Sequence, residues 1–154
     1  MAQRAKSEVQ LELKCSAQSF YEIFRSKQHL LPKVCPELIK DINVIKGDWE
    51  SLGSIKQWAY NVPAGNCEAV EEALEAIDDE NKRLTFKLLD GEITKYYKNV
   101  KSTIQVTGKD EGGSSVKWSL EYEKQNEDLP EPIKYLDLFP VLTKSVDAYL
   151  NKNA

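Results

Sequence analysis

The stretch GDWESLGSIKQWAY, residues 47–60, joins a glycine-bounded acidic loop to a run of aromatic residues. A phosphate-binding loop of the Walker type needs Gly-x-x-x-x-Gly-Lys-Ser/Thr, because its amide groups and its lysine bind the anion. Here five residues separate Gly47 from Gly53, no lysine follows directly, and the carboxylates of Asp48 and Glu50 would repel phosphate. A dinucleotide-binding fingerprint is also excluded, because these glycines lead into a strand pattern rather than a helix. The stretch therefore predicts a turn between two strands.

The residues after this turn alternate in character, as in a strand with two different faces. One face carries Lys56, Trp58 and Tyr60, and the other carries Ile55, Gln57 and Ala59. We expect the bulkier face to point inward. Comparable rows occur later in the chain: Leu84, Phe86 and Leu88; Val100, Ser102 and Ile104; Trp118, Leu120 and Tyr122. Buried tryptophan and tyrosine need partners for their polar atoms, so these rows fit either a packed core or a roomy interior that holds water or ligand.

The remaining sequence predicts strands around two short helices. Val9, Leu11 and Leu13 alternate with polar residues and indicate an opening strand. Ser16 is placed to cap a first helix, and a second short helix is expected at Gln28–Val34, interrupted by Pro32 and closed by Pro36. Six strands are then expected at Ile39–Lys46, Ser54–Asn61, Cys67–Asp78, Arg83–Asp90, Tyr96–Gly108 and Val116–Lys124. Turn residues separate them, including those at Gly47–Gly53 and Pro63–Asn66.

The C-terminal segment predicts one long helix. Apolar residues recur at helical spacing between Ile133 and Leu150. Pro140 lies within this segment, so we expect a bend there. The pattern as a whole predicts an α+β fold, in which a seven-stranded curved antiparallel sheet packs against two short helices and a long C-terminal helix. Residues 1–154 are expected to form a single domain.

Composition excludes several classes of protein. The chain of 154 residues has 25 acidic and 21 basic residues and a formal net charge of −4. The basic residues are scattered, which argues against a nucleic-acid partner. No apolar run has the length of a signal peptide or a membrane span. The three cysteines are widely spaced, as expected for free thiols in a reducing compartment, so we expect a cytoplasmic protein.

Motifs for metal binding or nucleophilic catalysis are missing from the sequence. The single histidine, His29, has no Gly-x-Ser-x-Gly motif or paired cysteine to work with, and we expect no metal site and no cofactor. A run of carboxylates occurs at residues 68–80, where alternation puts Glu71 and Glu75 on one face and Glu68, Glu72 and Glu80 on the other. If Glu71 faces inward near Lys56, the two residues form a candidate acid–base pair whose pKa values shift on burial.

Three blocks of the sequence resemble the major latex protein group of plants. They are GDWESLGSIKQWAY at 47–60, EAIDDENKRLTFKLLDGEI at 75–93 and VKWSLEYEKQNEDLPEP at 116–132. With the order of elements, the likeness covers nearly the whole chain. The group belongs with the pathogenesis-related class 10 proteins and the Bet v 1 birch-pollen allergen. The resemblance implies the helix-grip fold of that superfamily, in which the curved sheet grips the long helix and encloses an apolar cavity.

The resemblance also indicates which residues would face such a cavity. By strand and helix position, the candidate ligand-binding residues are Phe24, Trp58, Tyr60, Ala69, Phe86, Leu88, Ser102, Trp118, Tyr122, Leu136, Phe139 and Thr143. One departure is in the loop, which is richer in glycine in the pathogenesis-related relatives. Asp48, Trp49 and Glu50 occupy it here, so nucleotide-linked activities are not expected.

Two functions remain open on this basis. The first is a plant intracellular protein, a monomer or weak dimer, that binds a hydrophobic metabolite, steroid or hormone-like molecule, oriented by Lys56, Tyr60 or Ser102. The alternative is a cofactor-independent cyclase or isomerase of alkaloid or terpenoid metabolism, in which Lys56, Tyr60 or Glu71 moves a proton. A third reading, an interaction protein with a fully packed interior, has no cavity at all.

Overall fold

The computed structural model describes residues 3–62, 66–126 and 128–152. These residues form one antiparallel sheet with the strand order β1-β7-β6-β5-β4-β3-β2. The strands are β1 (Gln3–Leu13), β2 (Ile39–Lys46), β3 (Ile55–Asn61), β4 (Cys67–Asp78), β5 (Arg83–Gly91), β6 (Tyr97–Gly108) and β7 (Ser114–Lys124). The predicted α+β architecture with a seven-stranded sheet is confirmed. The turn predicted at Pro63–Asn66 lies, except for Asn66, outside the described residues.

Two short helices carry the chain from one edge strand, β1, to the other, β2. They are α1 (Ala17–Ser26) and α2 (Leu31–Val34), with a single 3-10 turn at Gln28–Leu30 between them. The predicted cap is confirmed, since the Ser16 hydroxyl accepts a hydrogen bond of 3.1 Å from the Ser19 backbone N–H. Pro32 falls in the first turn of α2, where a helix does not use the backbone N–H, so it does not interrupt this segment.

The long C-terminal helix is present in two parts, α3 (Ile133–Leu136) and α4 (Leu138–Lys152). The break lies at Asp137 and not at Pro140 as expected. Proline lacks the N–H that would bond the carbonyl four residues earlier, and its ring clashes with that carbonyl, which here belongs to Leu136. The helix therefore restarts after Leu136 and takes Pro140 into the first turn of α4.

Asp147 of the C-terminal helix binds the backbone that directly follows β1. The Asp147 carboxylate accepts hydrogen bonds from the backbone N–H groups of Lys14, at 3.0 Å, and Cys15, at 2.9 Å. Val146, next to it, is fully buried. These contacts hold α4 across the sheet and bury its apolar face, so the core lies between the sheet and the helices.

The acidic loop is a turn that sets the register of β3, as predicted. Gly47 has a φ of +82°, and a Cβ there would lie 2.4 Å from the Ser54 hydroxyl. The Asp48 carboxylate accepts hydrogen bonds from the backbone N–H groups of Glu50, at 2.9 Å, and Ser51, at 2.7 Å, which lower the pKa of Asp48. The loop thus uses its own amide groups internally. Its geometry leaves Lys56, Trp58 and Tyr60 buried on the inner face of β3, as expected.

Candidate functional site

A cavity lies between the inner face of the sheet and helices α1, α3 and α4. Its volume is about 120 Å³, measured as the space open to the centre of a water-sized sphere. By that measure one water needs roughly 10–15 Å³, so the space accommodates several waters or a small ligand. Most of the surrounding side chains are apolar or aromatic, which is the usual character of a small-molecule site.

Eight of the twelve candidate ligand-binding residues line this cavity. They are Phe24, Trp58, Tyr60, Phe86, Leu88, Ser102, Trp118 and Phe139. The structure brings them together from α1, four strands and α4. Their convergence follows from the alternation of the strands, because the inward residues of neighbouring strands form continuous rows across the sheet.

The other four candidates lie elsewhere. Ala69 is exposed on β4, because its neighbour Val70 takes the inward position opposite Trp58. Tyr122 is buried, but its hydroxyl bonds Ser7 at 2.9 Å, away from the cavity. Leu136 is buried outside the lining. Thr143 lies behind the wall, where its hydroxyl accepts a 2.8 Å hydrogen bond from the Trp118 indole N–H.

Several lining residues were not among the candidates. They are Gln28, Leu38, Ile39, Val70, Glu72, Ile93, Leu120, Tyr135, Leu138 and Leu142. Leu120 belongs to the alternating row of Trp118, Leu120 and Tyr122 in the sequence. The pairing of β4 with β3 explains why Val70 and Glu72 face the cavity. Cross-strand neighbours share a face, and these two lie opposite Trp58 and Lys56. Tyr135, Leu138 and Leu142 belong to the apolar residues at helical spacing in the C-terminal segment. Nothing in the local pattern marks Gln28, which reaches the cavity from the 3-10 turn between α1 and α2.

An aromatic cluster forms one wall of the cavity. Trp118 stacks on Phe139 with ring centres 4.7 Å apart and an interplanar angle of 6°. Phe24 meets Trp118 edge-on, with ring centres 5.2 Å apart. The hydrogen bond to Thr143 satisfies the indole N–H on the far side. Trp118 is therefore held by two ring contacts and one hydrogen bond, while the half-buried Phe139 on α4 is the most exposed ring of the wall.

Lys56 is one of the most buried charged residues, with 3% of its surface exposed. Its ammonium donates hydrogen bonds to the Gln28 side-chain carbonyl, at 3.1 Å, and to the Trp49 backbone carbonyl, at 2.9 Å. Burial lowers the pKa of Lys56, and the negative charges of Glu72 and Asp48 oppose that shift. Lys56 itself does not line the cavity, although Gln28 does.

Glu72, and not Glu71, is the carboxylate that faces Lys56. In the register of β3 and β4, Glu72 lies opposite Lys56 and Glu71 lies opposite Gln57, on the outer face. The proposed Glu71–Lys56 pair is therefore corrected to Glu72–Lys56. Burial raises the pKa of Glu72 to about 7, and the charge of Lys56 and the Trp58 indole N–H partly offset this rise. A lining carboxyl with a pKa near neutrality can gain or lose a proton at physiological pH.

Tyr60 reaches the cavity but is held by another carboxylate, that of Glu68. The Tyr60 hydroxyl lies 3.4 Å from Glu68 Oε1, and the Tyr135 hydroxyl donates to the same oxygen at 3.0 Å. Lys134 forms an ion pair of 3.2 Å with the other oxygen. Burial and the charge of Glu68 raise the pKa of both tyrosines. Glu68 thus ties β3 and β4 to α3, and both tyrosines remain protonated at neutral pH.

Among the described residues, no three or more His, Cys, Asp or Glu side chains cluster so that they could hold a metal ion. Within the same residues, no helix is long and apolar enough to cross a membrane. Cys15 and Cys35 are buried free thiols, and Cys67 is an exposed one.

Comparison with known proteins assigns the chain to a family. The model of the pathogenesis-related protein Bet v 1 family matches residues 2–153. The chain belongs to the Bet v 1 family. Among its relatives, MLP-like protein 34 of Arabidopsis thaliana is 38% identical over 144 residues, which are 93% of this chain. This Bet v 1 family chain spans only 45% of the length of that relative.

Two solved structures have the same fold as this chain. Ginseng major latex-like protein 151 from Panax ginseng superposes with a TM-score of 0.90 and 30% identity, covering 95% of this chain and 97% of that one. Norcoclaurine synthase from Thalictrum flavum, in complex with dopamine and hydroxybenzaldehyde, has a TM-score of 0.84 at 18% identity, covering 99% of this chain and 90% of that one. The second likeness shows the fold alone.

Proposed function

We propose that this Bet v 1 family protein binds a hydrophobic small molecule in the cavity between the sheet and the helices. The observation that carries the proposal is an apolar cavity with few polar lining groups. Burial of apolar ligand surface against such walls favours binding, and the few polar groups set the orientation of the ligand. Membership of a family whose fold binds ligands supports the proposal. The three free cysteines fit action in a reducing compartment, the cytoplasm of a plant cell.

A second function, cofactor-independent isomerisation or cyclisation, is favoured by one observation. Glu72 lines the cavity and has a pKa of about 7. A general acid or base works best when its pKa lies near the operating pH, and it contributes about 10²–10⁴-fold to the rate. The exclusion of water by apolar walls would assist such a step. In this reading Glu72 moves the proton, in place of Glu71.

One experiment separates the two functions. The purified protein is incubated with a plant metabolite extract in excess, and the extract is analysed by mass spectrometry. Retention of one unchanged compound in proportion to protein supports binding. Loss of a compound far beyond the amount of protein, with a new product, supports catalysis.

The controls are heat-treated protein and a variant that fills the cavity. Ser102→Phe places a ring in the lining, because Ser102 faces the cavity from β6. Retention or turnover that persists in Ser102→Phe would place the site elsewhere and contradict both functions. If neither retention nor turnover occurs with the native protein, the cavity is not a metabolite site and the proposal fails.

A further inference from the structure

The cavity has one polar donor that the protein leaves without a partner. The Trp58 indole N–H is buried and makes no hydrogen bond, the only such side-chain nitrogen or oxygen in the described part of the chain. Trp58 is 9% exposed and lines the cavity. Buried donors are nearly always paired in folded proteins, because an unpaired one loses its bond to water and gains nothing. An unpaired N–H donor at a cavity wall therefore indicates where a bound molecule presents a hydrogen-bond acceptor.

Glu72 provides the second polar group at the same place. On β4 it lies opposite Lys56, and Val70 lies opposite Trp58, so Glu72 and Trp58 are diagonal neighbours on the inner face. The Trp58 indole N–H lies close enough to the Glu72 carboxylate to lower its pKa, yet the two groups do not meet the geometry of a hydrogen bond, so the N–H counts as unpaired. Donor and acceptor thus face one cavity side by side, each with capacity for a further partner.

Most of the other polar side chains of the lining are engaged within the protein. The Gln28 side chain donates to the Phe24 carbonyl at 3.0 Å and accepts from Lys56 at 3.1 Å. The tyrosine hydroxyls of the lining, from Tyr60 and Tyr135, are directed to Glu68. Ser102 lies on β6, separated from β4 by β5, and carries no charge. The pair of Trp58 and Glu72 is therefore the polar end of the cavity, and the rest of the ligand meets apolar walls.

Charge determines which ligand group fits beside Trp58 and Glu72. The charges of Lys56 and Glu72 act on each other and sum to zero when both are ionised. Above about pH 7, where Glu72 is ionised, a ligand ammonium group would leave one buried positive charge in excess, and a ligand carboxylate one negative charge. Either excess is costly in an apolar interior. A neutral hydroxyl avoids it, because its oxygen accepts from the Trp58 N–H while its proton bonds the Glu72 carboxylate.

We propose that Trp58 and Glu72 form a subsite for one neutral hydroxyl group, so that the protein selects apolar alcohols or phenols over hydrocarbons, amines and acids of the same shape. This inference rests on the proposed binding function and gives its ligand a chemical class. The hydroxyl group lies at the β3–β4 end of the cavity, and the apolar body extends toward Phe86 and Trp118.

The test uses three probes of one shape: naphthalene, 2-naphthol and 2-methoxynaphthalene. Binding is measured by isothermal titration calorimetry at about pH 8, above the pKa of about 7 at which Glu72 ionises. The variants are Trp58→Phe, which keeps a ring and removes the N–H, and Glu72→Gln, which removes the charge. Glu71→Gln is the matched control, since Glu71 lies next to Glu72 but on the outer face.

We expect 2-naphthol to bind the native protein about tenfold or more tightly than naphthalene, because hydrogen bonds to a charged group are strong. Trp58→Phe and Glu72→Gln should each reduce the affinity for 2-naphthol about tenfold. The affinity for naphthalene should change by less than about twofold in both variants, which shows that the cavity is intact. The methyl ether accepts but cannot donate, so its binding weakens in Trp58→Phe and not in Glu72→Gln. Glu71→Gln changes none of the affinities.

Two results would overturn the subsite, and they differ in meaning. If naphthalene binds and 2-naphthol binds no more tightly, or if Glu72→Gln weakens both probes equally, the cavity binds ligands but the hydroxyl subsite is wrong. If no probe binds the native protein, the proposed binding function fails and the subsite fails with it.

Discussion

Lys56 and Glu72 lie opposite each other on β3 and β4, yet the Lys56 ammonium bonds Gln28 and the Trp49 carbonyl instead of the carboxylate. Lys56 therefore acts on Glu72 through its charge and not through a direct contact. Burial therefore has the larger effect on Glu72. Its pKa rises to about 7 although the Lys56 cation lies opposite it on the neighbouring strand.

Glu72 should make the stability of the protein depend on pH. Its pKa rises from 4.5 to about 7 on folding, so the folded state binds the proton more tightly than the unfolded state. The contribution is fully present below about pH 4.5 and is lost as the pH rises through 7. We expect the free energy of unfolding of native protein, relative to Glu72→Gln, to fall by up to about 3 kcal/mol across this window.

Urea denaturation at several pH values measures this difference. Glu71→Gln serves as the control and should follow the native protein. A parallel pH dependence of native protein and Glu72→Gln would show that Glu72 titrates normally in the folded state.

Replacing Lys56 with methionine should raise the pKa of Glu72 further. The positive charge of Lys56 lowers that pKa, so its removal leaves burial less opposed. The titration is followed by NMR of the glutamate side-chain carboxyl carbons, with Glu72→Gln used to assign the signal. Lys87→Met, at an exposed position on β5, should leave the signal unchanged. A pKa that stays constant or falls in Lys56→Met would refute the coupling.

Removing the charge of Glu68 should loosen α3. Glu68 binds Tyr60, Tyr135 and Lys134, so Glu68→Gln weakens three interactions at once. We expect a loss of about 1–3 kcal/mol in the free energy of unfolding. Relative to the native protein, amide hydrogen exchange should speed up more in α3 than in α4. The comparison is Glu75→Gln, whose partner Lys101 lies at 3.2 Å in an exposed pair and should matter little. Equal costs in the two variants would argue against the role of Glu68.

The hydrogen bond between Trp118 and Thr143 should stabilise the cavity wall. Thr143→Val keeps the shape but leaves the buried Trp118 N–H without its acceptor. The expected loss is about 1–3 kcal/mol in the free energy of unfolding, measured by urea denaturation. In a Trp118→Phe background the same change should cost much less, because no N–H is then left unpaired. A cost that is independent of Trp118 would assign it to packing.

Strand positions were largely predictable because alternation is a local property. The bounds of β2, Ile39–Lys46, and β4, Cys67–Asp78, agree with expectation residue for residue. β7 begins at Ser114 and not at Val116, because Ser114 pairs with Leu13 in the ladder to β1. That pairing joins residues distant in the sequence, so the alternation around Val116 could not reveal it.

The candidate site was harder to predict for the same physical reason. Alternation correctly separates Glu71 from Glu72, but it does not say which of the two faces is buried. The register between β3 and β4 decides that, by setting Glu72 opposite the buried Lys56. Pro140 likewise predicted a bend at its own position. The helix instead breaks at Asp137, because the Pro140 ring clashes with the carbonyl of Leu136.

The sequence by itself determined the order of the elements, the turn at Gly47–Gly53 and the inward face of β3, because dihedral preferences and side-chain periodicity act over a few residues. Only the tertiary structure decided that Glu72, Gln28 and the unpaired Trp58 N–H meet at one cavity. Burial and cross-strand distance control pKa values and unmet hydrogen bonds, and both depend on residues far apart in the chain.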